Sequence, residues 1–402
     1  MTHKRKYEVT HPWMKFSIDI TGRTQWLWML LGEAKSKCEH IARAILEPDT
    51  SKQLHTVYLA KGVLATTAIE GNTLSEEEVI KQVEKTLEVP PSKQYLAQET
   101  QNIIDACNFI LAEITHGRSP VLDVTTIKDF NRRVLDKLTL DEGVVPGVTR
   151  SHSVVVARYR GAPAEDCEHL LERLCNWLNS DTFTPPPEQP QLRLIFAFLK
   201  AIIAHLYIAW IHPFGDGNGR TARLIELLTL VTSGVPVPAA QLLSNHYNLT
   251  RTEYYRQLDR ASRSGGDVLP FLSYAAQGFV DGLVGQLEYI HRQQWKLAWE
   301  NYVSAQLDNL STEIRERCFH LVMALSDQSN QKDHIPVSKL PELTPQVAAF
   351  YAKKTTKTLS RDISLLMKKE LIGMSQTGVW AKKEVVLAFR PFVVVPPKPQ
   401  PA

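Results

Sequence analysis

Twelve consecutive residues, His212-Pro213-Phe214-Gly215-Asp216-Gly217-Asn218-Gly219-Arg220-Thr221-Ala222-Arg223, bring together an imidazole, a carboxylate, alternating glycines and two guanidinium groups. With no Cβ at Gly215, Gly217 and Gly219, backbone N–H groups can wrap an anion where a helix predicted over 221–231 begins. Arg220 and Arg223 fall on one face of that helix, and their planar donor forks suit the oxygens of a polyphosphate. Asn218 is neutral and can donate to a phosphate oxygen without repelling it. Asp216 is a hard oxygen ligand suited to Mg²⁺ between phosphates. His212, restrained by the proline after it, is a near-neutral proton acceptor for a hydroxyl nucleophile. Phe214 is expected to point into the core and anchor the loop.

The string resembles the signature of the Fic family, H-x-F-x-[DE]-G-N-G-R-x-x-R, at every defined position. The resemblance implies transfer of AMP from ATP to a hydroxyl side chain of a target protein, or of the enzyme itself. It also implies His212 as the catalytic base, Gly215, Gly217, Asn218, Gly219, Arg220 and Arg223 as the nucleotide cradle, and Asp216 as the Mg²⁺ ligand.

A second string, Thr66-Thr67-Ala68-Ile69-Glu70-Gly71-Asn72, lies far upstream. Thr66 and Glu70 share a helical face at i, i+4, and Gly71 is positioned to stop the helix. The run matches the family's inhibitory motif [ST]-x-x-x-E-[GN], which implies that Glu70 pairs with Arg223 and takes donors meant for the γ-phosphate. Taken alone, so short a motif also describes a glutamate that merely ends a surface helix.

Two further features carry weaker readings. Residues 143–163, with a Pro146-Gly147 turn and the run Val154-Val155-Val156, are predicted to form a β-hairpin. In the family this is the flap that docks the target by strand addition, here at about 146–157, although Thr149 stands where a tyrosine is common. Tyr254 and Tyr255 correspond to a tyrosine pair that lies against adenine in the family, with Thr250 where an asparagine is common. As a plain Tyr-Tyr on an amphipathic helix, the pair is more often core than ligand contact. His205 has no such context and is expected to pack structurally.

The 402 residues, 44% hydrophobic and 22% charged, make an ordinary globular composition with ample core. A net charge of +3 is too small to imply nucleic acid by itself. The five cysteines lack C-x-x-C spacing and read as reduced thiols. The N-terminal residues are basic with no apolar stretch behind them, so a cytoplasmic location is expected. The apolar run over 192–211 is interrupted by Arg193, Lys200 and His205 and is read as a buried central helix, with no membrane partner.

The elements that must hold these groups are overwhelmingly helical. Apolar residues near a 3.6 period predict helices over 23–46, 51–69, 75–87, 93–114, 125–137 and 165–178, and Ser75 with Glu78 forms a capping box. Residues 1–22 are read as a brief strand or extended arm. Helices over 244–258 and from 268 to about 310 follow the signature. The expected fold is all-α: a Fic-type helical core with a small β-hairpin flap, plus a C-terminal winged helix-turn-helix domain. The predicted divisions are 1–95 (inhibitory helices), 96–290 (catalytic core), 291–310 (linking helix), 311–391 (winged-helix-like domain) and 392–402 (disordered tail). Residues 353–384 carry eight Lys or Arg against three acids, which suits phosphate contacts on DNA and equally suits a solvated protein-interaction face.

Three functions are compatible with these residues: a protein adenylyltransferase, a hydrolase that removes AMP from a modified target, and a nucleotide-sensing DNA-binding regulator. Family frequency favours the first. Target identity and oligomeric state leave no trace in the sequence.

Overall fold

In a computed structural model, residues 4–20, 24–118, 120–156, 159–328 and 334–387 are described. The contact pattern divides the chain between Ile290 and His291 into two units. The predicted tail at 392–402 lies outside the described residues, as do the last residues of the predicted 311–391 domain and the hairpin tip at 157–158.

In the first unit, α1 (Lys6–Thr10) precedes α2 (Gln25–Ala42), α3 (Pro48–Ala68), α4 (Glu76–Val83), α5 (Gln94–Thr115) and α6 (Val124–Val134). The hairpin β1 (Val155–Val156) and β2 (Tyr159–Arg160) follows, then α7 (Cys167–Leu178), α8 (Arg193–Ile211) and α9 (Asn218–Thr232). The unit continues through α10 (Val237–Ala240), α11 (Leu242–Leu249), α12 (Arg251–Arg263) and the start of α13 (Leu269–Leu307). Its centre is α8 packed on α9, with Phe198, Ile202, Leu206, Ala222 and Ile225 fully buried. By length and composition α8 could cross a membrane, but 78% of its most apolar window is buried inside the protein. All five cysteines are buried and free, and burial pushes the thiols of Cys38, Cys107, Cys175 and Cys318 up to about 12.

The capping box forms as the sequence reads it: Ser75 Oγ accepts from Glu78 N at 3.2 Å, and Ser75 N donates to Glu78 Oε2 at 2.8 Å. Three expectations are corrected. Residues 4–20 contain a short helix and no strand, because Asp166, from a distant segment, accepts from Tyr7 N at 2.8 Å in the first turn of α1. The helix predicted over 244–258 is broken at Thr250, whose Oγ1 bonds the His246 carbonyl at 2.7 Å and the Tyr274 hydroxyl at 2.6 Å. The hairpin is far shorter than 143–163, with only Val155↔Arg160 and Val156↔Tyr159 in register. Its upstream arm spends its backbone elsewhere: Gly147 N donates to Asn131 Oδ1 and Arg150 N to the Pro213 carbonyl, each at 2.9 Å.

The second unit has its own core, including Trp299, Leu321, Leu366 and Val379. After the end of α13 come α14 (Thr312–Gln328), a 3₁₀ turn (Val337–Glu342), α15 (Pro345–Tyr351), α16 (Thr356–Lys368) and an antiparallel pair, β3 (Ile372–Met374) with β4 (Val379–Ala381).

Candidate active site

The signature occupies the turn between α8 and α9. Pro213 cannot continue a helix, and His212 leaves α8 in the left-handed conformation, φ 49° and ψ 58°. Gly217 supplies the second reversal at φ 77°, where a Cβ would sit 3.0 Å from both Asn131 Nδ2 and Val134 Cγ2. Phe214 is buried and anchors the loop.

Asn218 also holds the loop together. Its amide donates to the Phe214 carbonyl at 2.9 Å while its Oδ1 accepts from Phe214 N, also at 2.9 Å. Both ends of the side chain therefore staple the loop shut, and the backbone N–H of Asn218 at the start of α9 and the second N–H of its amide are the donors left for an anion. Gly215 and Gly219 lie on the same loop, and Gly215 packs where a Cβ would meet Val144 at 3.0 Å.

Asp216 Oδ2 accepts from Arg220 Nη2 at 3.0 Å, and its Oδ1 accepts from Gly217 N at 2.6 Å. Its side chain remains 45% exposed, so the carboxylate is aimed yet reachable. Asn131, fully buried, donates to the Asp216 carbonyl at 2.9 Å and fixes the backbone beneath it.

The two signature arginines are buried and each meets a carboxylate from outside the signature. Arg220 pairs with Glu99 of α5, and Glu99 in turn accepts from Asn72 Nδ2 at 2.9 Å. Arg223 Nη2 donates to Glu70 Oε1 at 2.5 Å and to the Thr66 carbonyl at 2.9 Å. Arg223 Nε, Arg223 Nη1 and Arg220 Nε are buried with no hydrogen-bond partner among the described residues. Buried cationic donors left unpaired are costly, which marks the two arginines as a candidate anion site. Gly219 completes the contact: a Cβ there would stand 2.2 Å from Glu70 Oε1, so the carboxylate fits only against glycine.

Charge follows this geometry. Burial alone would raise the Glu70 carboxyl, but the charge and hydrogen bond of Arg223, aided by Arg220 and His212, hold it below the usual carboxylate range. Burial pulls the His212 imidazole down to about 4, with Arg150 adding to the drop while a hydrogen bond to the Ala209 backbone, Glu70 and Asp216 oppose it. At neutral pH the ring is uncharged; with one nitrogen engaged at the backbone, the other is an acceptor.

Tyr254 and Tyr255 part company. Tyr254 is buried, stacks on Tyr247 with ring centroids 4.8 Å apart, and its hydroxyl bonds His205 Nε2 at 2.8 Å. His205 in turn meets Glu226 at 3.0 Å, a fully buried polar cluster consistent with a packing role. Tyr255 is 41% exposed beside the site. Its hydroxyl donates to the Ile69 carbonyl at 3.4 Å, and Arg251 Nη1 donates to the Ala68 carbonyl at 3.3 Å. The start of α12 thus caps the end of α3, the helix that carries Glu70 to Arg223.

Sequence reasoning did not find Glu99, Asn131, Arg251 or the role of Arg150. Arg150 is 4% exposed and reaches the signature loop from the hairpin base, donating from Nε to the His212 carbonyl at 2.7 Å.

Residues 121–230 match the Fic/DOC family. The chain carries a Fic domain. It is 32% identical over 216 residues to the protein adenylyltransferase fic-1 of Caenorhabditis elegans, a match covering 54% of this chain and 38% of the relative. It is 29% identical over 210 residues to the protein adenylyltransferase Fic of Nematostella vectensis, covering 52% and 44% respectively. The chain thus spans about two-fifths of the length of these curated relatives. Among solved structures, a Fic family protein from Desulfovibrio desulfuricans superposes with a TM-score of 0.56 at 17% identity, covering 90% of this chain and 94% of that one. A fragment of C. elegans Fic-1 superposes with a TM-score of 0.51 at 24% identity, covering 65% and 73%. These likenesses establish the helical Fic fold.

Proposed function

We propose that the protein is an adenylyltransferase that moves AMP from ATP to a hydroxyl side chain of a protein, itself included, and that Glu70 restrains it. The observation that carries the reading is the convergence of a neutral imidazole and two buried guanidinium groups with unpaired donors on one loop. In the reaction the target oxygen attacks the α-phosphorus, the bond to the bridging oxygen breaks and pyrophosphate leaves. His212 takes the hydroxyl proton as general base and later returns it to solvent. Arg223 and the N–H groups at the start of α9 bind the leaving phosphates.

Asp216 fits Mg²⁺: it offers hard carboxylate oxygens, is half exposed, and this metal commonly takes one or two protein carboxylates together with phosphate oxygens. Bound there, the ion would neutralise charge on the departing pyrophosphate. Arg220 keeps that carboxylate oriented from within the protein.

Glu70 occupies one face of Arg223 and adds negative charge where a nucleotide's is greatest. ATP then binds with its phosphates misplaced for in-line attack. The short hairpin supports docking of the target by added main-chain hydrogen bonds, with Val155 exposed on its first strand and Val145 and Val148 exposed upstream of it. The reduced, buried cysteines support a cytoplasmic setting.

In the second unit, the order of short helices followed by a two-stranded wing supports a winged helix-turn-helix. Lys353, Lys357, Arg361 and Lys368 are exposed there, which suits DNA phosphates, whereas Lys354 pairs with Glu313 and Lys369 and Lys383 bond backbone carbonyls. A salt-dependent gel shift tests this arm. For the reaction itself, mass spectrometry of protein expressed with Glu70→Gly is the test: added AMP is expected, and phosphate or no addition would refute it.

A further inference from the structure

We infer that Arg150, at the base of the hairpin, positions the catalytic base: its guanidinium pins the backbone of His212 and joins the hairpin to the loop that carries the chemistry. This rests on the reading of His212 as the base.

Each arm of the guanidinium ends on a main-chain carbonyl. Nε donates to His212 at 2.7 Å, Nη1 to His152 at 2.6 Å, and Nη2 to Ala162 at 2.5 Å and Ile211 at 3.4 Å. The backbone joins in, with Arg150 N donating to the Pro213 carbonyl at 2.9 Å. The carbonyls of Ile211 and His212 close α8, where helix acceptors lack intrahelical partners and a cation is favoured. His212 holds a left-handed φ that a side chain rarely adopts, so an external restraint is needed to keep it there. Arg150 is that restraint, and its planar fork reaches three segments that a point-like ammonium could not span together.

A second observation is independent of these bonds. At Gly161, on the hairpin's return arm, a Cβ would lie 2.9 Å from Arg150 Nη2 and 2.9 Å from His212 Cβ. The hairpin, the guanidinium and the base are therefore packed without room for one methyl group. Ala162 N adds a bond to the Ile211 carbonyl at 3.2 Å. The Arg150 side chain thus couples the hairpin to His212, alongside the direct contact at Gly161 and the Ala162–Ile211 bond.

The test uses the full chain. In a Glu70→Gly background, Arg150→Lys is expected to lower kcat about 10²-fold, the scale of a misplaced catalytic group, with KM for ATP unchanged. Added guanidinium ion is expected to restore part of the kcat of Arg150→Ala. A fold-only role predicts no rescue, and unchanged kcat in Arg150→Lys overturns the inference. NMR of the His212 ring, free of any activity, separates this from failure of the site reading. Replacing Arg150 by Met should move the ring signals and raise its titration midpoint, since a nearby positive charge is lost while Glu70 and Asp216 remain. If Glu70→Gly shows no transfer, the function proposed for the site fails, and the ring signals alone decide Arg150: unmoved signals in folded Arg150→Met or Arg150→Lys refute it.

Discussion

Arg223 Nη2 donates to Glu70 Oε1 at 2.5 Å across 153 residues of chain, while Nε and Nη1 of the same guanidinium stay buried without a partner. Glu70 therefore covers only part of the cation. Nucleotide should bind the unaltered protein and bind more tightly once Glu70 is removed. A charge-assisted hydrogen bond contributes about 1.5–3 kcal/mol, so Glu70→Gly should lower the Kd of a non-hydrolysable ATP analogue by roughly ten- to a hundredfold. Calorimetry on both proteins measures this, and equal affinities would show that Glu70 does not compete for the cradle.

The depressed imidazole makes a prediction about pH. In the free enzyme the His212 ring is neutral above about 4, and removing Glu70 lowers it further because Glu70 favours the charged form. The kcat/KM of Glu70→Gly, which reports the free enzyme, should show no acid limb near the ordinary histidine value of about 6.5. The same shift acts on stability: the unfolded chain binds a proton between about 6.5 and 4 that the folded chain does not, so stability falls as pH drops through that window. Glu70, held below the usual carboxylate range, keeps its contact with Arg223 at neutral pH and loses it only in stronger acid.

Asn218 is expected to matter for the loop more than for phosphate. Asn218→Ala leaves the buried Phe214 N–H and carbonyl without partners, which should destabilise the protein by about 2–3 kcal/mol. Thermal melting would register the loss, and an unshifted midpoint would return Asn218 to the role read from its sequence.

The cap on α3 offers a way to loosen the proposed restraint by Glu70 without touching the loop that carries His212. Arg251→Ala removes the donor to the Ala68 carbonyl, leaving Tyr255 alone at the end of the helix that presents Glu70. Self-labelling with ATP should rise several-fold, less than for Glu70→Gly, because Glu70 still reaches Arg223 part of the time. Labelling no higher than in the unaltered protein would show that the cap does not hold the helix.

Much of this was legible in the sequence, because the decisive groups are contiguous. The twelve-residue string places base, carboxylate and arginines in one turn, and Thr66 and Glu70 show their shared face by spacing alone. Helix periods located most of the core, and Ser75 with Glu78 marked a helix start that the structure reproduces. What escaped were groups defined by partners far away in the chain. Glu99 reads as an ordinary helix residue until it meets Arg220, and Asn131 until it holds Asp216. The N-terminal helix is completed by Asp166, and the break at Thr250 by Tyr274, neither of which leaves a local pattern. Asn218 carries a second role that its residue type alone does not reveal: its amide bonds both main-chain groups of Phe214 across the closed turn.

The most direct test follows label from the α-phosphate of ATP into protein, comparing the unaltered chain, Glu70→Gly and Glu70→Gly with His212→Ala. The account predicts faint incorporation in the first, an increase of about 10²-fold in the second, and none in the third. Equal labelling of the first two would remove the inhibitory role of Glu70, and labelling that survives without His212 would contradict the mechanism itself.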